Sequence, residues 1–416
     1  MRNFCTFLFL RKGGFQTRPY INFAKFCAFL ILAITFFGGN AFAQRDGLTF
    51  SGIFESSVAT NVGAGEAANL SYGLEEYANI RMQARVGENG TFFGAVNLIA
   101  ASGDYAITMI SQAEHVKFGG IHTGKYYAAL IELERLFFRI RGENVNFDGG
   151  IMRIPLGFSN VWGSSDFLNP KNPLKPNARP RAVLGNSLSW FPVHGFKLQG
   201  FGITGRDPLD ANSGIAGIAA DKHWDKLSAQ LLYSFEYSDE FPSTASNPWT
   251  HRTGLSLKAD LELGLILDML YTHNKELENK ADGLSLSTGF DYSFFSGNLI
   301  FLAEYLYNGL ASSTSLAGGG NFSNRNYLYT GFTYRFSNFT NAGLALLSGL
   351  DDASFVSLLT FNHQISQAIS LSVAANVPMD RNLFNNDGNH GEFGPRPSGM
   401  SAGSHFYMET KLRMRF

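Results

Sequence analysis

The chain has 416 residues, of which 45% are hydrophobic, 14% aromatic and only 16% charged, and its formal net charge at pH 7 is −1. The composition excludes a disordered chain, which needs low hydrophobicity and high net charge, and a coiled coil, which needs Ala, Glu, Lys and Leu in bulk. It also excludes a disulfide scaffold, which needs many cysteines. A soluble protein has about 25% charged residues, so we expect this chain to face lipid.

Residues 1–43 indicate a secretory signal peptide. They contain five basic residues and no acidic one, then the apolar run Phe26–Phe37, then the small-residue pattern Ala41-Phe42-Ala43, after which we predict cleavage. The apolar run is too short to cross about 30 Å of hydrocarbon as a helix. Both cysteines, Cys5 and Cys27, lie in the segment, so the predicted mature chain can hold no disulfide and no thiolate metal site.

The predicted mature chain, 44–416, has no apolar run of about 18 residues, so strands are its remaining way to span a membrane. A transmembrane strand needs about 9–11 residues whose side chains alternate between lipid and lumen. That alternation is clear in 227–238, 284–294 and 328–336. In the last twelve residues Phe406, Met408, Thr410, Leu412, Met414 and Phe416 alternate with Tyr407, Glu409, Lys411, Arg413 and Arg415. The charges on one face suit a water-filled interior better than a packed one.

The alternating segments predict an all-β fold, a transmembrane antiparallel up-and-down barrel of about 18 strands. The weakest segment is 213–221, and without it the count is 16. Short turns near Glu88-Asn89-Gly90 and Ser296-Gly297 alternate with long connections, as expected for periplasmic turns and extracellular loops. The predicted strands are 48–60, 71–87, 91–102, 127–142, 145–156, 183–192, 195–205, 213–221, 226–238, 250–261, 263–273, 283–295, 298–308, 325–336, 340–349, 353–363, 367–376 and 404–416.

With its signal peptide, its cysteine-free alternating chain and its terminal strand, the sequence resembles the bacterial outer-membrane β-barrel proteins, and its strand count resembles the porins. The resemblance implies an outer-membrane location in a diderm bacterium and passage of small hydrophilic solutes. It also implies recognition by the barrel-assembly machinery, through the pattern Phe406, Leu412, Met414 and Phe416, and a homotrimer. No nucleic-acid partner is expected, because the mature chain is acidic.

Function in such a barrel depends on what lines the lumen. The strands at 127–156 offer the inward candidates Glu132, Glu134, Arg139, Arg141 and Arg153. The next loop, 157–182, is rich in proline and carries Lys171, Lys175, Arg179 and Arg181. If this loop folds inward, its basic residues would face the glutamates and favour small anions. A solvated external loop is an equal alternative, since loop direction cannot be deduced from sequence.

Other chemistries have weaker support. The nine histidines lack the spacing of a zinc site, no nucleophile elbow is present, and Asp380, Asp387 and Glu392 lack the spacing of a calcium loop. We therefore predict no enzyme activity, no cofactor and no metal. The alternatives to a channel are an adhesin or structural barrel, whose loops would bind outside molecules, and a transporter of hydrophobic substrates of the fatty-acid type.

Overall fold

The computed structural model describes residues 47–63, 70–103, 116–117, 122–123, 127–174, 181–204, 213–238, 249–274, 280–312, 323–380, 391–393 and 404–416. The predicted signal peptide therefore lies outside the described residues. Within the described ranges, three 3₁₀ turns occur, at Lys280–Gly283, Phe295–Gly297 and Gly309–Ser312. The barrel strands are β1 Leu48–Gly63, β2 Leu70–Val86, β3 Gly90–Ser102, β4 Tyr127–Arg141, β5 Val145–Met152, β6 Val183–Trp190, β7 Phe196–Thr204, β8 Ser213–His223, β9 Leu227–Ser238, β10 Trp249–Asp260, β11 Gly264–His273, β12 Leu284–Phe294, β13 Leu299–Asn308, β14 Asn326–Ser337, β15 Thr340–Gly349, β16 Ser354–Gln364, β17 Ile369–Met379 and β18 Ser404–Arg415.

These 18 strands form one closed antiparallel sheet. Each strand pairs with the next along the chain, and β1 pairs with β18, as in the partners Phe54 and Met414. The predicted barrel is confirmed, and the weakest predicted segment is strand β8, so the count is 18. Among the described residues, no helix is long and apolar enough to cross a membrane.

The outer surface of the barrel is apolar because alternate residues of each strand point outward. Leu231 on β9 is 62% exposed and Leu188 on β6 is 52% exposed, whereas Ser234 and Glu236 on the inner face of β9 are 0% and 4% exposed. Exposed aromatic residues lie near strand ends, as Tyr334 and Phe336 do on β14. This pattern is that of a barrel in lipid with a polar interior.

A β-bulge in β4 changes which residues face the lumen. Opposite β3, the register shifts between Ala95, which pairs with Arg135, and Val96, which pairs with Leu133, so Glu134 has no direct partner. Before the bulge even-numbered residues point inward, and after it odd-numbered residues do. The bulge explains how Glu132 and Arg139 can both face the lumen.

The strand predicted at 145–156 is too long, because β5 ends at Met152. Pro155 has no N–H to donate to a sheet, and Gly157 has a positive φ of 73°, so the chain leaves the wall here. Two short strands, Val116–Lys117 and His122–Thr123, pair with the part of β4 that β5 leaves unpaired.

Candidate functional site: a lumen crossed by one loop

The segment that joins β5 to β6, residues 153–182, is called the inner loop here, because its described residues 153–174 reach across the barrel interior to β11 and β13. Asn169, which is buried, closes its neck. The side-chain oxygen of Asn169 accepts from Ile154 N–H at 2.8 Å, and its amide nitrogen donates to Arg181 O at 2.6 Å. One side chain therefore ties the outgoing and returning arms of the inner loop together.

Glu304 on β13 anchors the far end of the inner loop. Its carboxylate accepts the backbone N–H groups of Asn160 and Val161 at 3.1 Å each and of Trp162 at 2.9 Å, and it also accepts the hydroxyl of Ser159. Glu304 is 1% exposed. A buried carboxylate that accepts several N–H groups gains charge-assisted hydrogen bonds that offset its desolvation.

Asp268 on β11 is a second anchor of the same kind. It accepts Phe158 N–H at 3.0 Å and Ser159 N–H at 2.8 Å, while Gly157 N–H donates to Gln230 on β9 at 2.7 Å. At Gly157 a Cβ would lie 2.6 Å from a carboxylate oxygen of Asp268. The positive φ and this close approach both require glycine.

Apolar packing holds the inner loop at both ends. Near its neck, Ile154, Leu156 and Leu168 join a buried cluster with wall residues of β4 to β11. At its far end, Val161 and Trp162 join a second buried cluster with residues of β13 to β16. The loop therefore fills one side of the interior with side chains and leaves the polar wall from β17 through β1 to β4 as the other side.

Asp166 is the only acidic residue of the inner loop, and it is 5% exposed. Burial raises its pKa to about 8, against the lowering effects of the Asn169 N–H group and of Lys171, and Asp268 nearby also raises it. The docked loop therefore favours the protonated acid at neutral pH.

We predict that docking of the inner loop becomes weaker as the pH rises from about 4 to about 8 and stays constant above that. Between these pH values a free Asp166 side chain is ionised, whereas the docked side chain is protonated, so docking must reverse the ionisation. Open-channel current noise in planar bilayers should rise over this range, and Asp166→Asn should remove that part of the rise. Noise with the same pH dependence in wild type and Asp166→Asn would contradict the assignment.

Two arginines of the opposite wall, Arg81 and Arg135, lie near Arg153 at the start of the inner loop and near the buried carboxylate of Glu134. Arg81 on β2 and Arg135 on β4 flank the small residue Ala95 in one row of the sheet. Glu134 lies 3.4 Å from Arg135 Nε and 3.6 Å from Arg153. Burial, with the like charges of Arg135 and Arg81, lowers the pKa of Arg153 to about 10, so it stays charged at neutral pH. We call Arg81, Arg135 and Arg153 the arginine cluster.

No known protein-family model and no curated protein matches the chain. Its architecture is similar to that of solved porins. OccAB4 of Acinetobacter baumannii has a TM-score of 0.55 at 9% sequence identity, over 91% of this chain and 100% of that one. A BenF-like porin of Pseudomonas fluorescens Pf-5 has a TM-score of 0.52 at 10% identity, over 89% and 98%. The chain has the fold of an outer-membrane porin. OpdK of Pseudomonas aeruginosa, solved with vanillate, has a TM-score of 0.53 at 10% identity, over 89% and 98%.

Within this porin fold, the sequence-predicted wall residues are distributed as follows. Glu132 accepts from Asn97 at 3.1 Å, and Glu134 accepts from Asn79 at 2.7 Å. The guanidinium carbon of Arg139 lies 5.3 Å from the ring centroid of Phe93 and 5.2 Å from that of Phe137, two rings that stack on each other, and Arg139 forms a bidentate pair with Asp148, at 2.7 and 3.3 Å. Arg141 is opposite Asn146 on β5.

Two of the four predicted loop residues, Lys171 and Arg181, lie within the described residues, and both make contacts within the inner loop. Lys171 donates to the carbonyl of Ser159 within the inner loop, and Arg181 lies at the neck. Lys175 and Arg179 lie outside the described residues. The basic partner that the structure brings to Glu134 from the loop is Arg153, at its start.

Asp268 and Glu304 were not among the sequence-predicted site residues, although they hold the inner loop. The alternation of β11 and β13 assigns both carboxylates to the inner face. The sequence signal for an anchor is a lone carboxylate within an apolar strand, Asp268 between Leu267 and Met269 and Glu304 between Ala303 and Tyr305. Their partners are backbone groups far away in the chain, which no pattern in the sequence indicates.

Proposed function

We propose that this protein is a channel of the bacterial outer membrane that passes small hydrophilic solutes by passive diffusion and favours small anions. The closed barrel with an apolar exterior and a polar inner face supports passage through a membrane. The inner loop narrows the interior and leaves a path along the wall from β17 to β4.

The proposal that the channel prefers anions rests on the arginine cluster. Its three cations have one carboxylate, Glu134, at ion-pair distance from two of them. The buried atoms Arg135 Nε, Arg153 Nε and one terminal nitrogen of Arg153 have no hydrogen-bond partner among the described residues. Two of these nitrogens, Arg135 Nε and the terminal nitrogen of Arg153, form ion pairs with Glu134 but no hydrogen bond within the described part of the chain, and a carboxylate or another small anion would supply the missing acceptors.

The charge of the inner loop has the same sign. Its basic residues outnumber its one acid, Asp166, which is buried. Elsewhere on this wall the carboxylates Glu55 and Glu409 pair with Lys411 and Arg413, so the excess positive charge of the path comes from the arginine cluster and the inner loop. A positive path raises the local concentration of anions and lowers that of cations.

We expect the refolded wild-type protein to give steady open steps in a planar bilayer. Under a salt gradient, its reversal potential should be shifted toward the equilibrium potential of the anion. The wall variant, Arg81→Gln with Arg135→Gln and Arg153→Gln, should lose this preference. The loop variant, Lys171→Gln, Lys175→Gln, Arg179→Gln and Arg181→Gln, removes a similar amount of charge and should change the preference less, because the arginine cluster at Glu134 stays intact.

No conductance from a folded barrel, verified by its heat-dependent migration on a gel, would refute the channel function. Conductance with an unchanged reversal potential in the wall variant would refute only the role of the arginine cluster. Because OpdK was solved with vanillate, vanillate is a suitable organic anion to add as a competitor of the chloride current.

We also propose that the barrel-assembly machinery recognises β18. Met408, Leu412 and Phe416 are exposed on its outer face, at 38%, 47% and 43%, and Phe406 and Met414 share that face by alternation. The homotrimer stays a prediction, to be checked by the mass of the detergent-solubilised protein.

A further inference from the structure

Tyr327 on β14 lies between the inner loop and a segment of the external connection that joins β17 to β18. Its side chain is 0% exposed. Trp162 of the inner loop packs on it with ring centroids 5.3 Å apart, and Phe393 of the external connection packs on it at 5.9 Å. The two segments meet at this tyrosine.

Hydrogen bonds fix the external segment Gly391-Glu392-Phe393 in this position. Tyr327 donates its hydroxyl proton to Glu392 at 2.6 Å and accepts from Asn324 N–H at 2.6 Å. Glu392 N–H donates to Asp352 at 2.6 Å, and Phe393 N–H donates to Ser354 Oγ at 3.0 Å. The side chain and the backbone of the segment are therefore both held.

The geometry points to a mechanical link: Glu392 and Phe393 of the external connection hold Tyr327 against Trp162 and thereby set the position of the inner loop and the width of the channel. We call Trp162, Tyr327, Glu392 and Phe393 the tyrosine clamp. Tyr327 is a positioning residue in this link, because it acts through Trp162. The inference rests on the proposed channel function.

The packing explains why the link transmits displacement. Trp162 is fixed on one side by Glu304, which accepts its backbone N–H at 2.9 Å, and on another by a buried apolar cluster that includes Leu347 and Tyr327. Close-packed interiors do not deform continuously, so loss of Phe393 leaves a cavity into which Tyr327 and then Trp162 move. A change at the external surface therefore reaches the loop that narrows the channel.

The test compares Phe393→Ala and Glu392→Gln with the control Asp351→Asn. Asp351 is an external carboxylate whose hydrogen bonds among the described residues are with Arg325 and Asn326 and not with a clamp residue, so the control removes the same charge as Glu392→Gln. We expect both clamp variants to show noisier open states and a larger size limit for sugars in liposome swelling. The control should match the wild type in both.

A second measurement does not depend on conductance. Both native cysteines lie in the predicted signal peptide, so Ser164→Cys places a single thiol on the inner loop of the mature chain. Its alkylation should become several-fold faster when Phe393→Ala or the milder Phe393→Leu is added, and not when Asp351→Asn is added. An unchanged alkylation rate, or unchanged noise and size limit, would overturn the link, whereas a wild type that does not conduct would refute the channel function instead.

Discussion

Replacement of Glu304 by alanine is expected to release the inner loop into the lumen and to produce a wider, noisier and less selective channel. Glu304 accepts three backbone N–H groups and one hydroxyl from Ser159–Trp162. Each buried donor left without an acceptor costs about 1–3 kcal/mol. Because several donors lose their acceptor together, the free energy that favours the docked loop should fall by several times this amount. Single-channel conductance and thermal unfolding together measure the effect.

Two variants make this result specific to docking. Glu304→Gln keeps one acceptor oxygen and should give an intermediate phenotype. Glu409→Ala on β18 removes a lumen carboxylate whose ion pair, at 3.3 Å, is with Lys411 of the same strand, and it should leave the loop in place. Equal conductance and noise in Glu304→Ala and Glu409→Ala would show that loss of charge, and not loss of an anchor, explains the change.

Replacement of Glu134 by glutamine is expected to strengthen the anion preference, which is the opposite sign to the arginine substitutions. Glu134 is the carboxylate within ion-pair distance of Arg135 and Arg153, and glutamine keeps an acceptor for Asn79 while removing the negative charge. The arginine cluster would then have its full positive charge facing the path. The anion-to-cation permeability ratio, taken from the reversal potential, should rise several-fold.

The variant should also lower the thermal stability, because removal of one partner of a buried ion pair leaves uncompensated charge. Partial exposure of Arg135 and Arg153, at 36% and 20%, allows solvent to reduce this cost. Glu88→Gln, in the exposed periplasmic turn between β2 and β3, is the matched control for charge. A permeability ratio that rises equally in both variants would contradict a local effect at the arginine cluster.

The sequence by itself determined the barrel, because the information needed is local. Period-two alternation, as in β9 and β18, tells which residues face lipid, and turn residues such as Glu88-Asn89-Gly90 tell where strands reverse. Short hairpins between consecutive strands then fix the neighbours, and an even number of strands closes the sheet. Even the weakest predicted segment, 213–221, is a strand in the structure.

Only the tertiary structure decided what happens inside the barrel. The bulge at Glu134 depends on the register of β4 against β3, and the end of β5 at Met152 depends on where the chain finds new partners. The direction of the inner loop was open in the sequence because its N–H groups bond carboxylates 109 and 144 residues away, on β11 and β13. Such contacts form only once the closed wall has brought those strands opposite the loop, so no local pattern can encode them.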